Sequence, residues 1–339
     1  MESRSSIVGG RILKKKWIVS LLCLTVLISF IVHFLKEDEK LKVVVVAKSL
    51  DLEYWKIFES GAKKAFHDFD IDGQVIAPNS IYPISNEVDT LKKVLRQHPD
   101  ALIVTPIHPS VTIPVLMEYK KNNIPVLFAG RDADWEDKVT YIGTDHLKLG
   151  IMAGQLLGSM LQPGDQVAII HGTLKDHAEV ERIKGAKEAL GKAGIEITTE
   201  QLGEDRYGKT ISVFENILQN HPDIQGVFAT DDLIALNVLK TVEKEGLMIP
   251  IIGTDGITDM IDVVNEGKLS ATIAQNPYDM AYLSVVQAIK AVNGEHVPER
   301  IDSGVDILTK DNARDRLAFQ NNIFYSRVEK FKHFLHELL

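Results

Sequence analysis

The sequence predicts an α/β protein built from two doubly wound parallel-sheet lobes. Short apolar strands alternate with amphipathic helices from residue 41 to residue 142, and a second run of the same kind occupies residues 147–252. Such alternation is typical of parallel sheets whose strands are joined by crossover helices. The length also favours two lobes, because the chain has 339 residues and a single hydrophobic core stops growing at roughly 250–300 residues.

The first run begins with residues 41–47 (LKVVVVA), a β-branched stretch that predicts a buried strand. Residues 53–69 carry Trp55, Phe58, Ala62 and other apolar side chains near helical spacing, which predicts the first helix. The same two patterns predict strands at 74–77, 101–105, 125–129 and 139–142 and helices at 86–97 and 112–121.

The second run repeats this organisation and therefore predicts a second sheet. Its helices are expected at 147–160, 178–193, 209–219 and 233–244, and its strands at 166–170, 196–199, 226–229 and 249–252.

The elements predicted after residue 252 are too few to form a third domain. They are a helix at 258–265, an extended segment at 270–274, a helix at 278–292 and a last strand at 303–308. We expect them to extend the two sheets, so that the chain passes between the lobes more than once. Repeated crossings form a hinge, and a hinge between two sheets forms a cleft. Open parallel sheets bind ligands beyond the carboxyl ends of their strands.

The N-terminal segment predicts a transmembrane helix. Residues 17–35 are an apolar run preceded by the basic residues of segment 1–16 and followed by charged residues. At about 1.5 Å per residue this run just spans a hydrocarbon core of about 30 Å. The basic block predicts a cytoplasmic N-terminus and a single-pass protein of the cell membrane, with the rest of the chain extracellular or periplasmic. The alternative is a cleaved signal, although no A-x-A-like site ends the run.

The C-terminal residues 319–339 predict a helical extension, because apolar residues recur at partly helical spacing. Two interpretations stay open. The extension packs on one of the lobes, or it docks on a partner protein.

Composition excludes several classes of function. The net charge is -9 and the basic residues are dispersed among more numerous acids, so nucleic acid is not expected as a partner. The single cysteine, Cys23, cannot form a disulfide framework or a thiolate metal site. No nucleophile-elbow, P-loop or H-E-x-x-H motif occurs, so we expect no enzyme, no cofactor and no metal.

Six short stretches carry a family resemblance: NIPV (123–126), GTD (143–145), ERIKG (181–185), IQGVFATDDLIAL (224–236), IIGTDG (251–256) and EGKLSATIAQ (266–275). In this order and spacing they resemble the periplasmic sugar-binding protein family, the ribose- and galactose-type substrate-binding proteins of ABC transporters. The resemblance implies a three-strand hinge that crosses near Thr144 and Asp145, near Gln275 and Asn276, and near Asp302 and Ser303. Lobe 1 would then be 41–144 plus 276–302, and lobe 2 would be 145–275 plus 303–318.

The resemblance also implies a monosaccharide site in the cleft. Sugar hydroxyls both donate and accept hydrogen bonds, and charged planar groups bind them strongly, while aromatic rings stack on the C–H face of the sugar. The residues expected to bind the sugar are Tyr54, Trp55, Arg131, Arg182, Asp231, Asp255 and Gln275, with Asp205, Tyr207 and Ala178 as further candidates.

Each candidate has a structural alternative. Tyr54 and Trp55 start a helix, where aromatic residues are often core. Arg131 follows a strand and would otherwise form a surface salt bridge, and Arg182 would lie on the solvated face of its helix. Asp231 and Asp255 precede helices, where a carboxylate commonly caps the helix. One of the adjacent Asp231 and Asp232 should cap, and the other can reach the cleft.

The sequence departs from the ribose-type pattern at Leu52, Gly130 and Asp231, where those receptors place asparagine, aspartate and asparagine. A pentose other than ribose or a hexose fits equally well. Two functions stay open: delivery of the sugar to an ABC permease for import, and a sugar-sensing receptor subunit that presents occupancy to a membrane histidine kinase. A sugar-responsive repressor would need a DNA-binding helix pair where this chain has its apolar segment.

Overall fold

The protein is described by a computed structural model that covers residues 40–80, 83–203 and 209–337. The expected transmembrane segment 17–35, the basic segment 1–16, and the candidates Asp205 and Tyr207 lie outside these residues. Within the covered ranges, no helix combines the length and the apolar character needed to cross a bilayer.

The first sheet has six parallel strands in the order β11-β5-β4-β3-β1-β2. Its central strands are buried on both faces, because helices cover both sides of the sheet. The strands are β1 (Lys42–Val46), β2 (Asp72–Ile76), β3 (Ala101–Val104), β4 (Val126–Ala129), β5 (Tyr141–Gly143) and β11 (Arg300–Asp302). The helices are α1 (Glu53–Asp68), α2 (Ser85–Leu95), α3 (Pro109–Lys121) and α9 (Pro277–Val292).

The second sheet also has six strands, in the order β12-β10-β9-β8-β6-β7, and only its edge strand β12 is antiparallel. The strands are β6 (Gln166–His171), β7 (Glu196–Leu202), β8 (Ile224–Ala229), β9 (Ile251–Asp255), β10 (Ala271–Gln275) and β12 (Val305–Thr309). The helices are α4 (His146–Gly158), α5 (His177–Lys192), α6 (Lys209–Asn220), α7 (Asp232–Lys244), α8 (Thr258–Asn265) and α10 (Lys310–Glu337). The prediction of two parallel-sheet α/β lobes is confirmed.

The predicted last strand at 303–308 corresponds to β12, and the short strand β11 just before it was not predicted. Arg300–Asp302 pairs with β5 in the first sheet, whereas Val305–Thr309 pairs with β10 in the second. Gly304 between them has a φ of 77°, a left-handed conformation that glycine adopts without a steric penalty. The chain can therefore turn from one sheet to the other at this point.

The chain passes between the sheets after β5, after β10 and between β11 and β12. These passages are hydrogen-bonded to one another. The Thr144 hydroxyl donates to Gln275 Oε1 at 2.7 Å, and Asp145 N donates to Asp302 Oδ1 at 3.3 Å. Ser303 N donates to the Gly143 carbonyl at 2.9 Å. All of the passages thus lie side by side, next to the carboxyl end of β10.

Helix α10 is continuous from Lys310 to Glu337, and neither proline nor glycine interrupts it. Its first turns pack on the second lobe through Ala313 and Leu317, which are buried with α8 side chains. Phe319 also contacts the ring of Tyr278 in α9, with the ring centroids 5.3 Å apart. The start of the helix therefore touches elements of both lobes.

Candidate functional site

Polar side chains from both lobes meet beyond the carboxyl ends of the strands. Gln275, at the end of β10, is the centre of this group: its Nε2 donates to Asp255 Oδ1 at 2.6 Å, and its Oε1 accepts from Thr144 at 2.7 Å. The Tyr54 hydroxyl, at the start of α1, lies 3.5 Å from the same Oε1. The structure thus brings together three of the expected sugar-binding residues, Tyr54, Asp255 and Gln275.

Arg182 joins this group from α5. Its Nη2 lies 3.0 Å from Asp255 Oδ1, while its Nη1 donates to the Thr230 carbonyl at 2.5 Å and to Thr254 Oγ1 at 2.8 Å. Burial opposes the charge, but Asp255, Glu179 and Asp231 outweigh it and raise the pKa of Arg182 above its ordinary value. The side chain is only 5% exposed, so the alternative of a solvated helix face is excluded.

Asp255 has a strained backbone, with a φ of 129°. Non-glycine residues rarely adopt positive φ, and such conformations persist where the surrounding structure enforces them, often at functional sites. Here Arg182 and Gln275 hold the carboxylate from two sides. These two contacts help to hold Asp255 in its strained conformation.

Arg131 follows β4 and spans the two lobes. Its Nη1 donates to the Ile107 carbonyl of the first lobe at 3.0 Å, and its Nη2 lies 3.2 Å from Asp176 Oδ2 of the second lobe. The side chain keeps 28% of its surface exposed at the rim of the cleft. Arg131 therefore forms an interlobe ion pair in addition to any contact with a ligand.

The two aromatic candidates differ in their surroundings. Tyr54 reaches the polar group around Gln275, and burial raises the pKa of its hydroxyl, so the hydroxyl stays protonated. Trp55 is only 7% exposed and packs edge-on against Tyr54 and Phe58, with ring centroids 5.2 and 5.3 Å apart. A side chain at Gly130 would lie 3.1 Å from the Trp55 ring. The indole thus occupies the space next to the position where the ribose-type pattern has a carboxylate.

The adjacent aspartates have separate roles. Asp231 caps α7, because its Oδ1 accepts from the Ile234 N–H at 2.8 Å. Asp232 is 1% exposed and accepts from Thr272 Oγ1 at 2.8 Å, Gly256 N at 2.6 Å and Ile257 N at 3.0 Å. Asp232 therefore fixes the loop after Asp255 rather than reaching the cleft.

The buried carboxyl of Asp232 should make stability depend on pH. Burial and the nearby Asp255 raise the pKa of Asp232 to about 7. Because this folded-state value lies above the unfolded one, the native state binds more protons between about pH 4 and pH 7, and stability falls as pH rises through that window. Urea denaturation at pH 4.5 and 7.5 measures the free energy of unfolding. Between these two pH values the wild type should lose about 2–4 kcal/mol more stability than Asp232→Asn loses. Equal pH dependence in the two proteins would contradict the assignment.

Ala178, a further candidate for sugar binding, takes part in the cap of α5 through its backbone: its N–H donates to Asp176 Oδ1 at 3.1 Å.

Two further residues of the site were not predicted. Glu179 accepts from Gly172 N at 3.1 Å and from the Thr230 hydroxyl, and burial raises the pKa of its carboxyl. His146 accepts from Arg182 Nε at 3.3 Å. Glu179 lies three residues before Arg182, a spacing that places both on one helix face.

A small cavity of about 50 Å³ separates the site from helix α10. Tyr54, Asp255 and Gln275 line one side of it, and Arg316, Phe319 and Gln320 line the other. Arg316 donates to Asn276 Oδ1 at 2.6 Å, and Gln320 Nε2 donates to the Gly256 carbonyl at 3.0 Å. The start of α10 therefore supports the loops that carry Asp255 and Gln275.

Within the described ranges, no group of three or more histidine, cysteine or acidic side chains is arranged to hold a metal ion. The chemistry of the site is that of hydrogen bonding by an arginine, a carboxylate, an amide and a phenol hydroxyl. Such a set can bind a small neutral molecule with many hydroxyl groups, because it offers both donors and acceptors.

The strand ends of the two α/β lobes meet at one cluster of polar side chains. This arrangement defines a two-lobed binding protein. The chain belongs to the periplasmic binding protein domain family, whose model matches residues 43–296. This confirms the resemblance seen in the sequence.

Individual relatives are similar over most of the chain. The ribose import binding protein RbsB of Bacillus subtilis is 30% identical over 226 residues, which are 67% of this chain and 74% of that protein. The D-ribose/D-allose-binding protein of Pseudomonas aeruginosa is 27% identical over 79% of this chain and 86% of its own. The crystal structure of GanP, a glucose-galactose binding protein from Geobacillus stearothermophilus, has a TM-score of 0.72 at 30% identity, covering 81% of this chain and 99% of that one.

Proposed function

We propose that this protein binds a monosaccharide, a pentose or a hexose, in the cleft between its lobes and delivers it to an ABC-type importer. The observation that carries the proposal is the hydrogen-bonded group of Arg182, Asp255 and Gln275, which the Tyr54 hydroxyl joins from the facing lobe. The names of the relatives, which refer to ribose, allose, glucose and galactose, support the same class of ligand. We propose binding without catalysis.

The sugar is proposed to bridge the lobes and to favour their closed arrangement by binding it more tightly than the open one. The lobes are 41–144 plus 276–302 and 145–275 plus 303–318, and they move about the crossings near Thr144, Gln275 and Asp302. Contacts between the lobes support this mechanism. Glu53 Oε1 of α1 accepts from Thr258 N at 2.9 Å and from Thr258 Oγ1 at 2.6 Å.

We further propose that the binding domain lies outside the cytoplasm, held at the membrane by residues 17–35. The apolar run and the basic residues before it support this location. An uncleaved segment predicts that the protein sediments with membranes and that its N-terminus stays intact. A shortened N-terminus in the mature protein would show that residues 17–35 are a cleaved signal and not an anchor.

The direct test is a binding screen of the full-length chain in detergent. Thermal shift against ribose, xylose, arabinose, allose, glucose and galactose should identify at least one stabilising sugar. A ligand whose free concentration is 100 times its Kd stabilises the folded protein by about 2.7 kcal/mol. Isothermal titration calorimetry then measures Kd and stoichiometry. If no monosaccharide or polyol shifts the melting temperature, the proposed function is wrong.

A second candidate function is a sugar-sensing receptor subunit for a membrane histidine kinase. Helix α10 favours it, because this helix lies beyond the family match, contacts both lobes and supports the loops of the site. The two functions predict different effects when the gene for this protein is deleted. Loss of sugar uptake indicates import, whereas normal uptake with loss of a sugar-induced transcriptional response indicates sensing.

Glu53 provides a test of lobe closure. Glu53→Ala removes the acceptor of Thr258 N, while the Thr258 hydroxyl keeps Gln320 Oε1 as an acceptor at 3.0 Å. Sugar affinity should fall by about 3- to 10-fold, since a hydrogen bond contributes about 0.5–1.5 kcal/mol. Glu53→Gln keeps an acceptor oxygen and serves as the matched control. Small-angle scattering should show a larger radius of gyration for the sugar-free alanine variant. An alanine variant with unchanged affinity and radius would show that this contact does not hold the lobes together.

A further inference from the structure

Arg182 is held more firmly than a surface arginine. Its Nε donates to His146 Nδ1, its Nη1 to both Thr230 O and Thr254 Oγ1, and its Nη2 to Asp255. Since a guanidinium has one N–H on Nε and two on each Nη, one hydrogen of Nη2 is left without a partner among the described residues. The direction of that remaining donor depends on every other contact of the guanidinium.

His146 provides the contact at the Nε end. It is the first residue of α4, directly after Asp145, whose side chain caps the helix by accepting from Lys148 N at 3.0 Å. Asp145 N is in turn bonded to Asp302. The backbone that carries His146 is therefore fixed by the cap of α4 and by the neighbouring crossing segment.

The contact defines the protonation state of the imidazole. Arg182 Nε always carries a hydrogen, so Nδ1 of His146 must act as an acceptor, and the ring hydrogen belongs to Nε2. A second proton on the ring would direct two N–H groups at each other between two cations. The charged and titratable groups that face the ring are Arg182 and His177 from α5 and Arg300 from β11, and burial together with these groups lowers the pKa of His146 to about 2. The ring is thus neutral near pH 7.

We propose that His146 is a positioning residue of the ligand site, whose neutral imidazole fixes the Arg182 guanidinium so that one Nη2 hydrogen faces the ligand. This inference rests on the proposed function for its binding consequence. The protonation state that it requires is independent of any ligand.

Three variants of the full-length chain test the proposal. His146→Asn puts an amide oxygen where Nδ1 stands and should keep affinity within about threefold of the wild type for the sugar found in the screen, as expected when the hydrogen bond is kept. His146→Gln places its polar group one bond further out, and His146→Leu has none. Both should weaken binding by about 10-fold or more, since a hydrogen bond to a charged group contributes about 1.5–3 kcal/mol.

Thermal melts without sugar identify any variant that does not fold, and the asparagine and glutamine variants then form the matched polar pair. Equal affinities for these two variants, or a leucine variant that binds like the wild type, would overturn the proposal. A ligand-free readout separates this test from that of the proposed function. In ¹⁵N-histidine-labelled protein, Nδ1 of His146, assigned by its loss in His146→Asn, should stay unprotonated from pH 5 to pH 8. A signal that titrates in this range would also overturn it.

Discussion

Arg182→Ala is expected to abolish sugar binding, with affinity lowered by about 100-fold or more. Removing one member of a buried, hydrogen-bonded charge pair costs about 2–5 kcal/mol in an interface, and every 1.4 kcal/mol is tenfold in affinity. The variant removes the proposed donor to the ligand, and it also releases Asp255, which then has Gln275 as its remaining side-chain donor. The release of Asp255 therefore adds to the loss of the direct contact.

The same substitution should lower stability. Arg182 donates to the Thr230 carbonyl and to Thr254, both of which are fully buried. Breaking a buried pair from one side costs about 3–5 kcal/mol, and since Asp255 keeps 25% of its side chain exposed we expect about 2–4 kcal/mol. Urea denaturation measures this loss and calorimetry measures the affinity.

Two variants separate charge from geometry. Arg182→Lys keeps a positive charge but lacks the planar fork, so it should also bind sugar weakly. Lys184→Ala removes a charge from the exposed side of the same helix, where the side chain is 64% exposed, and should leave both quantities unchanged. An alanine variant at Arg182 with near-normal affinity would remove this residue from the site.

Much of the fold was predictable because each strand and helix carries its own local signal. Val43, Val44, Val45 and Val46 are all buried, as expected for a strand covered on both faces. Strand β11 was missed because its three residues are too few to carry an alternation pattern. Its place in the first sheet depends on pairing with β5, which lies far away in the sequence.

The site was predictable as a set of strand ends but not as a network. Asp255 and Gln275 were expected at strand ends, whereas Arg182, inside a helix, was expected at the site from the family resemblance. The contact between Thr144 and Gln275 joins residues 131 positions apart. Whether Asp231 or Asp232 caps α7 is decided by the loop at Gly256, which needs the buried carboxylate. His146 carries no pattern of its own, because its role follows from the guanidinium that folding brings to it.

Gly150→Ala is expected to give the largest loss of stability, about 3 kcal/mol or more. Helices α4 and α5 pack so closely that a Cβ at Gly150 would lie 2.1 Å from the carbonyl oxygen of Arg182 and 2.8 Å from its carbonyl carbon. Both atoms belong to the backbone, so no side-chain rotation relieves the overlap. The helices must separate, and overpacking of this kind costs about 1–3 kcal/mol even where side chains can adjust.

Gly191→Ala in α5 is the matched control, because nothing lies within 4 Å of a Cβ at that position. Alanine is the better helix former, so this change should raise stability by up to about 1 kcal/mol. Sugar affinity distinguishes the two further. Displacement of α5 in Gly150→Ala moves Arg182 away from Asp255, so its affinity should fall along with its stability, whereas Gly191→Ala should bind like the wild type. If Gly150→Ala were as stable as Gly191→Ala, the close approach of the two helices would be wrong, and the fixed position of Arg182 would be wrong with it.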